Sequence, residues 1–204
     1  MENKYFTLIL AAVCILFFML QLAIPGFTDA FVLNQQSWLE PWRFITSIFL
    51  HGGFSHILFN MFALVIFGMI LESTIGSKKF LLVYFASGIL ANLIAVNFYS
   101  SSLGASGAVY GILGCLTILR PRMVVWVYNL PMPMFLAALV WIGAGVFGIF
   151  NPSGVGDIAH LSGIAVGLLF GVLYRSKFHE KREIKYKLKL PEKEIRNWEN
   201  SWMR

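Results

Sequence analysis

Ala159-His160-Leu161-Ser162-Gly163-Ile164-Ala165-Val166-Gly167-Leu168-Leu169-Phe170-Gly171 is an apolar run with one ionisable side chain and a small residue at every fourth position. Small-xxx-small spacing lets two helix backbones approach closely in lipid, where no hydrophobic force drives helices together. A second such run opens at Gly104-Ala105-Ser106-Gly107, with Gly111 continuing its small face. An imidazole and a glycine-flanked serine within stretches of this kind are costly, which makes His160 and Ser106 candidate functional residues. Each also has a bland reading, as an interhelical histidine with its hydrogen bonds met and as an ordinary glycine-serine packing pair.

The rest of the chain agrees with a membrane setting. It is 58% hydrophobic and only 13% charged over 204 residues, more apolar surface than a soluble core of that size can bury. Stretches long enough to cross about 30 Å of hydrocarbon, or nearly so, lie at 5–25, 54–72, 79–98, 106–120, 133–150 and 157–175. The expected fold class is therefore an all-α polytopic membrane protein, a six-transmembrane-helix bundle over 1–175 followed by a basic tail over 176–204. The first stretch is too long for a cleaved signal and reads as a retained span. The tail scatters Leu188, Leu190, Ile195, Trp198 and Trp202 among Lys and Glu, the pattern of an interfacial helix or of a solvated tail.

Of the 16 Lys and Arg residues, 15 fall on one side of the six-span path, and only Arg43 falls on the other. The positive-inside rule then places both termini in the cytoplasm and the loops 26–53, 99–105 and 151–156 outside, in a plasma-membrane protein. The net charge of +6 is topological and carries no nucleic-acid reading. Trp38, Trp42, Phe44 and Phe49 suit loop 26–53 to lying at headgroup level. Cys14 and Cys115 fall within spans and read as packing residues. No Cys/His spacing suggests a metal, and nothing implies a cofactor.

Counting at about 1.5 Å per residue places the polar groups on one level. Ser106 lies 14 residues from Arg120 and His160 15 from Arg175, about 21 and 22 Å up their helices. His56 and Asn60, 16 and 12 residues from Glu72, fall at about 24 and 18 Å and share one helix face at i, i+4. All four converge about 5 to 12 Å below the outer surface, open toward the extracytoplasmic side. The fourth stretch is too short to cross, so the chain from Tyr99 to Ala105 must dip inward, leaving Ser106 on an exposed helix N-terminus suited to an oxyanion. His56 and Asn60 can donate to the same charge, or simply glue helices together. Tyr110, one turn along from Ser106, is placed to pack on the imidazole, while Gly104 and Gly107 admit a substrate backbone and Gly163 lets the two helices close. Asp157, three residues before His160, reads as a helix start. The soluble-hydrolase pattern G-x-S-x-G fails because position 108 is Ala and no strand precedes the serine.

With Trp42-Arg43, His51-Gly-Gly-Phe-Ser-His56-Ile-Leu-Phe-Asn60, Glu72-Ser-Thr-Ile-Gly76, Gly104-Ala-Ser106-Gly107-Ala-Val-Tyr110-Gly111 and Ala159-His160-Leu-Ser-Gly163-Ile-Ala-Val-Gly167 in this order, the chain closely resembles the rhomboid family of intramembrane serine proteases. The resemblance implies a six-helix rhomboid bundle of the minimal form. It implies Ser106 as nucleophile, His160 as general base and then acid, and His56, Asn60 and the Ser106 N–H as oxyanion hole. It also implies a Ser/His dyad that cuts peptide bonds in or beside the transmembrane helices of membrane-protein substrates, which reach the site from the lipid bilayer between the second and fifth helices. Phe59 and Trp141 are the candidate gate residues on those helices. A catalytically inactive relative that binds transmembrane clients, and a transporter using His56 and His160 as a proton relay, are the competing readings.

Overall fold

A computed structural model describes residues 5–127, 129–151, 156–187, 196, 197 and 201. In chain order the helices are α1 (Phe6–Ala23), α2 (Phe27–Phe31), α3 (Arg43–Thr46), α4 (Phe54–Ile75), α5 (Ser77–Ala95), α6 (Ser106–Leu119), α7 (Met134–Phe150) and α8 (Asp157–Lys187). Four short strands accompany them: β1 (Leu33–Asn34) pairs with β2 (Ser101–Ser102), and β3 (Val124–Val127) with β4 (Leu130–Pro133). The molecule is a helical membrane bundle, since α1, α4, α5 and the stretch Asp157–Ser176 of α8 are long and apolar enough to span a bilayer. The helices α6 and α7 are apolar but shorter; 14 residues carry α6 only about 21 Å.

Each apolar stretch of the sequence forms one helix, and only the last departs far from its expected end. The final helix runs past Arg175 to Lys187 without a break. From Ser176 to Lys187 there is no Gly or Pro, and Lys, Arg and Glu predominate, residues that lose little on entering a helix. The tail residues Leu188, Leu190, Ile195, Trp198 and Trp202 lie outside the described residues.

The small residues set the order of the helices. A Cβ on Gly163 would strike the Gly107 carbonyl, one on Gly167 the Gly111 carbonyl, and one on Gly171 would come within 2.7 Å of Ile118 Cβ, so α6 and α8 touch backbone to backbone. On the other side of α6, Gly107 leaves room for Ala91 at 2.9 Å, and Gly111 for the Ser87 side chain. The helix α6 is thus wedged between α5 and α8, with α4 and α7 also against it. Ile112 and Leu116 on α6, Leu64 on α4 and Phe80 and Tyr84 on α5 are fully buried there. Cys14 and Cys115 are free thiols buried in the same core.

Two buried charges hold the ends of the bundle. Glu72 accepts from the backbone N–H groups of Phe6 and Thr7, both at 3.0 Å, from Thr7 Oγ1 at 2.6 Å and from Ser77 Oγ at 2.7 Å. It thereby caps the first turn of α1 with negative charge, where the helix leaves N–H groups unpaired. In loop 26–53, the buried Arg43 pairs with Glu40 and donates to the carbonyls of Asp29 at 2.6 Å and Val32 at 2.9 Å. Folding the loop around this guanidinium turns its neighbour Phe44 inward against Trp38, and Phe49 packs on the core. Of the four aromatics expected at headgroup level, only Trp38 and Trp42 are exposed. Phe44 is buried and Phe49 is partly buried against the core instead.

Candidate active site

The site is assembled where the segment before α6 meets three other elements. Ser101 and Ser102 pair with Asn34 and Leu33. The Gly104 N–H then donates to the Ser47 carbonyl at 2.9 Å, and Tyr99 Oη accepts from the Ile158 N–H at 3.0 Å, tying the start of α8 to the same segment. Gly104 adopts φ +130°, a conformation that side chains rarely tolerate, and the chain turns into α6 two residues later. The first bond of that helix runs from Val109 N–H to the Ala105 carbonyl, so the N–H groups of Ser106, Gly107 and Ala108 precede the ladder.

Ser106 and His160, 54 residues apart in sequence, meet with Oγ 2.8 Å from Nε2. The equal depths counted along their helices and the glycine contacts between α6 and α8 are the physical cause of this approach. The Tyr110 ring stacks on His160 with centroids 4.3 Å apart and planes 16° from parallel, and Trp141 of α7 meets Tyr110 edge-on at 6.5 Å. Asp157 begins α8 with its carboxylate against Gly148 of α7, where a Cβ could not fit. Among the described residues no carboxylate hydrogen-bonds His160.

His56 stands across Gly104 from the serine. The Gly52 N–H donates to its Nδ1 at 3.2 Å, which assigns the ring proton of the neutral imidazole to Nε2. A Cβ on Gly104 would lie 2.9 Å from that Nε2 and 3.8 Å from Ser106 Oγ. The glycine therefore keeps open a space bordered by the serine hydroxyl and by a histidine N–H. Asn60, one turn along α4 and buried, donates from Nδ2 to the His56 carbonyl at 2.9 Å and keeps a second amide hydrogen.

His51 was visible in the sequence only as part of a motif. It is buried and packs edge-on against His56, with ring centroids 5.2 Å apart. Its backbone N–H donates to Gln21 Oε1 at 2.9 Å, while Gln21 Nε2 donates to its carbonyl at 3.2 Å. Burial, helped by the neighbouring His56, pushes its imidazole down to about 4, so it stays neutral beside the site. A histidine five residues ahead of another, at the mouth of a span, was the available signal.

A cavity of about 810 Å³ joins these groups, lined by His56, Asn60, Ser106 and His160 and by Phe59 and Trp141. Phe59 is 71% exposed on α4, and Trp141 is half-buried on α7. The helix α7 packs on α6 and α8, while α4 packs on α1, α5 and α6. Among the described residues no group of three or more His, Cys, Asp or Glu side chains is arranged to hold a metal ion. A serine hydroxyl bonded to an imidazole beside unpaired N–H groups is equipped for nucleophilic attack on a carbonyl.

A family model described as the Rhomboid domain matches residues 39–177. The chain is 33% identical to the Rhomboid protease GlpG of Haemophilus influenzae over 175 residues, 82% of this chain and 89% of that protein. It is 34% identical to the Putative rhomboid protease YdcA of Bacillus subtilis over 66% of this chain and 67% of that one. With RHOMBOID-like protein 4 of Arabidopsis thaliana the identity is also 34%, over 69% of this chain but 36% of the plant protein.

Proposed function

The chain belongs to the rhomboid family of serine proteases, and on that premise we propose that it is an intramembrane endopeptidase whose catalytic dyad is Ser106 and His160. The observation that carries the assignment is the 2.8 Å contact between Ser106 Oγ and His160 Nε2 at the N-terminus of α6, inside a cavity that His56 and Asn60 also line. In this reading Ser106 Oγ bonds to the scissile carbonyl carbon while its proton passes to His160 Nε2. The negative charge that develops on the carbonyl oxygen falls in the space beside Gly104, where His56 Nε2–H, the free Asn60 amide hydrogen and the Ser106 N–H can donate to it. Breakdown breaks the C–N bond, and His160 returns its proton to the leaving amine. Water repeats the sequence on the acyl-enzyme and frees Ser106. The stacked Tyr110 keeps the imidazole facing Oγ through these steps, a role that the carboxylate of a Ser-His-Asp triad has in other serine hydrolases.

The substrates in this reading are transmembrane proteins cut in or next to their membrane helices. They arrive from lipid between α4 and α7, past Phe59 and Trp141. The helices α1, α4, α5, α6, α7 and α8 form one protease domain over 1–175, α6 completing its crossing through the inward-dipping segment 99–105, with both termini in the cytoplasm and the cavity open to the outside of the plasma membrane. The 15-to-1 partition of basic residues supports this orientation. A cysteine probe at Asn34 should label from outside the cell and one at Ser77 only after the membrane is opened; the reverse pattern overturns it. The reaction is tested by incubating the purified protein in liposomes with a panel of single-span substrates and mapping the cuts by mass spectrometry. Cleavage is expected near the outer end of a substrate helix and is absent from Ser106→Ala and from His160→Ala. Cleavage by folded Ser106→Ala protein would sink the assignment.

A further inference from the structure

The connection between α6 and α7 has no part in the reaction above, yet its two faces differ sharply. In the β3–β4 hairpin, Val125 and Val127 point into the core, 5% exposed each. The alternate residues Val124 and Trp126 are 64% and 72% exposed, and Pro131, opposite Trp126 in the ladder, is exposed on the same face. Such alternation makes one apolar face for the bundle and a second that points away from it. Arg120 and Arg122 are exposed at the base of that outer face. No Asp or Glu occurs anywhere between Glu72 and Asp157. Glu72 itself is consumed by the α1 N-terminus and Ser77. Lys78 and Lys79 open α5 at the same end of the bundle, where Lys79 Nζ lies 4.9 Å from the ring of Tyr174, next to Arg175.

We infer that the outer face of the β3–β4 hairpin is a seat for anionic phospholipid. Trp126, Val124 and Pro131 enter the boundary between headgroups and acyl chains, the level that tryptophan favours. Arg120 and Arg122 bind the phosphodiester groups above them, as guanidinium groups suit phosphate oxygens. Charge complementarity selects the occupant: an end of the molecule with exposed cations and no uncommitted carboxylate in the connection fits an anionic leaflet, not a basic or neutral partner. The hairpin base is bonded to the start of α7, through Met134 N–H to the Met123 carbonyl at 2.8 Å and Phe135 N–H to the Pro121 carbonyl at 3.1 Å. A lipid seated here therefore holds the N-terminal end of α7 at headgroup level. The inference rests on the exposed ladder and its charges and is independent of the proposed proteolysis.

The test uses the full chain carrying Trp126→Cys labelled with an environment-sensitive fluorophore; the native thiols are fully buried and do not compete. The protein is reconstituted in phosphatidylcholine vesicles containing either brominated phosphatidylcholine or brominated phosphatidylglycerol at equal mole fraction. Bromolipids should quench the label strongly and aqueous iodide weakly. Phosphatidylglycerol should outcompete phosphatidylcholine on the order of fivefold for each arginine engaged. Arg120→Gln with Arg122→Gln should bring the two lipids level while quenching by phosphatidylcholine persists. Strong iodide quenching without bromolipid quenching puts the hairpin in water and overturns the seat, and equal quenching by both lipids in the parent overturns its anionic selectivity. If Trp126→Cys does not yield folded protein, as judged by its melting transition, the same label at Val124→Cys, 64% exposed and two residues along the same strand, reads the same face with the same outcomes.

Discussion

Gly104→Ala tests the proposed oxyanion hole with a single methyl group. That methyl would sit 2.8 Å from His56 Cε1 and 2.9 Å from Nε2, closer than carbon atoms approach without displacement, and 3.8 Å from Ser106 Oγ. The φ of +130° adds backbone strain of about 1–3 kcal/mol for any residue with a side chain. The imidazole has to swing off the glycine, and the methyl fills the room intended for the carbonyl oxygen. Loss of one such donor costs about 10²- to 10³-fold in turnover, or ~2.7–4 kcal/mol. His56→Ala and Asn60→Ala, each removing a donor outright, should fall in about a 10- to 1000-fold range. Because Gly104→Ala and His56→Ala disable the same donor, the double variant should be little slower than the slower single, a strongly non-additive cycle. The assay is cleavage of a fluorogenic transmembrane substrate in proteoliposomes, with a melting curve for each variant. A folded Gly104→Ala protein within threefold of the parent rate, or a double variant whose losses multiply, refutes the reasoning.

Gly167→Val would drive its side chain into the Gly111 carbonyl and part α6 from α8, so the folded yield and the activity should both collapse. Gly143→Ala, where a Cβ meets nothing within 4 Å, should change neither, and an active, stable Gly167→Val protein contradicts the packing argument. Glu72→Ala strands the N–H groups of Phe6 and Thr7 and should lower stability by about 1–3 kcal/mol, measured by thermal melting. Its rate per folded molecule should hold, because Glu72 lies 16 residues along α4 from His56, about 24 Å away. Phe59→Ala with Trp141→Ala should speed cleavage of transmembrane substrates more than that of short soluble peptides, by lowering the cost of opening between α4 and α7. Equal or slower cleavage of both substrate types by the folded variant would remove the gate.

The helices and the meeting of Ser106 with His160 were legible because the bilayer imposes a length, and small residues at fixed spacing impose a close approach. One-dimensional signals of this kind survive without knowledge of the partner. The inward turn of Phe44 and Phe49 did not, since it follows from Arg43 gathering the carbonyls of Asp29 and Val32, residues 14 and 11 positions away. The β3–β4 hairpin was equally hidden: Pro131 and Pro133 argue against strand, and its pairing is short and local. The packing of His51 on His56 depends on Gln21 of α1 fixing the turn between them, a contact across 30 residues that no periodicity announces.

The central claim, that Ser106 is a nucleophile activated by His160, is tested most directly by reacting the membrane-embedded protein with a fluorophosphonate and locating the adduct by mass spectrometry. One adduct per chain, on Ser106, is the predicted result, and His160→Ala should slow its formation by at least about 100-fold, the lower range for a general base. A folded parent protein that forms no adduct, an adduct on another residue, or a His160→Ala variant that reacts at the parent rate would contradict it.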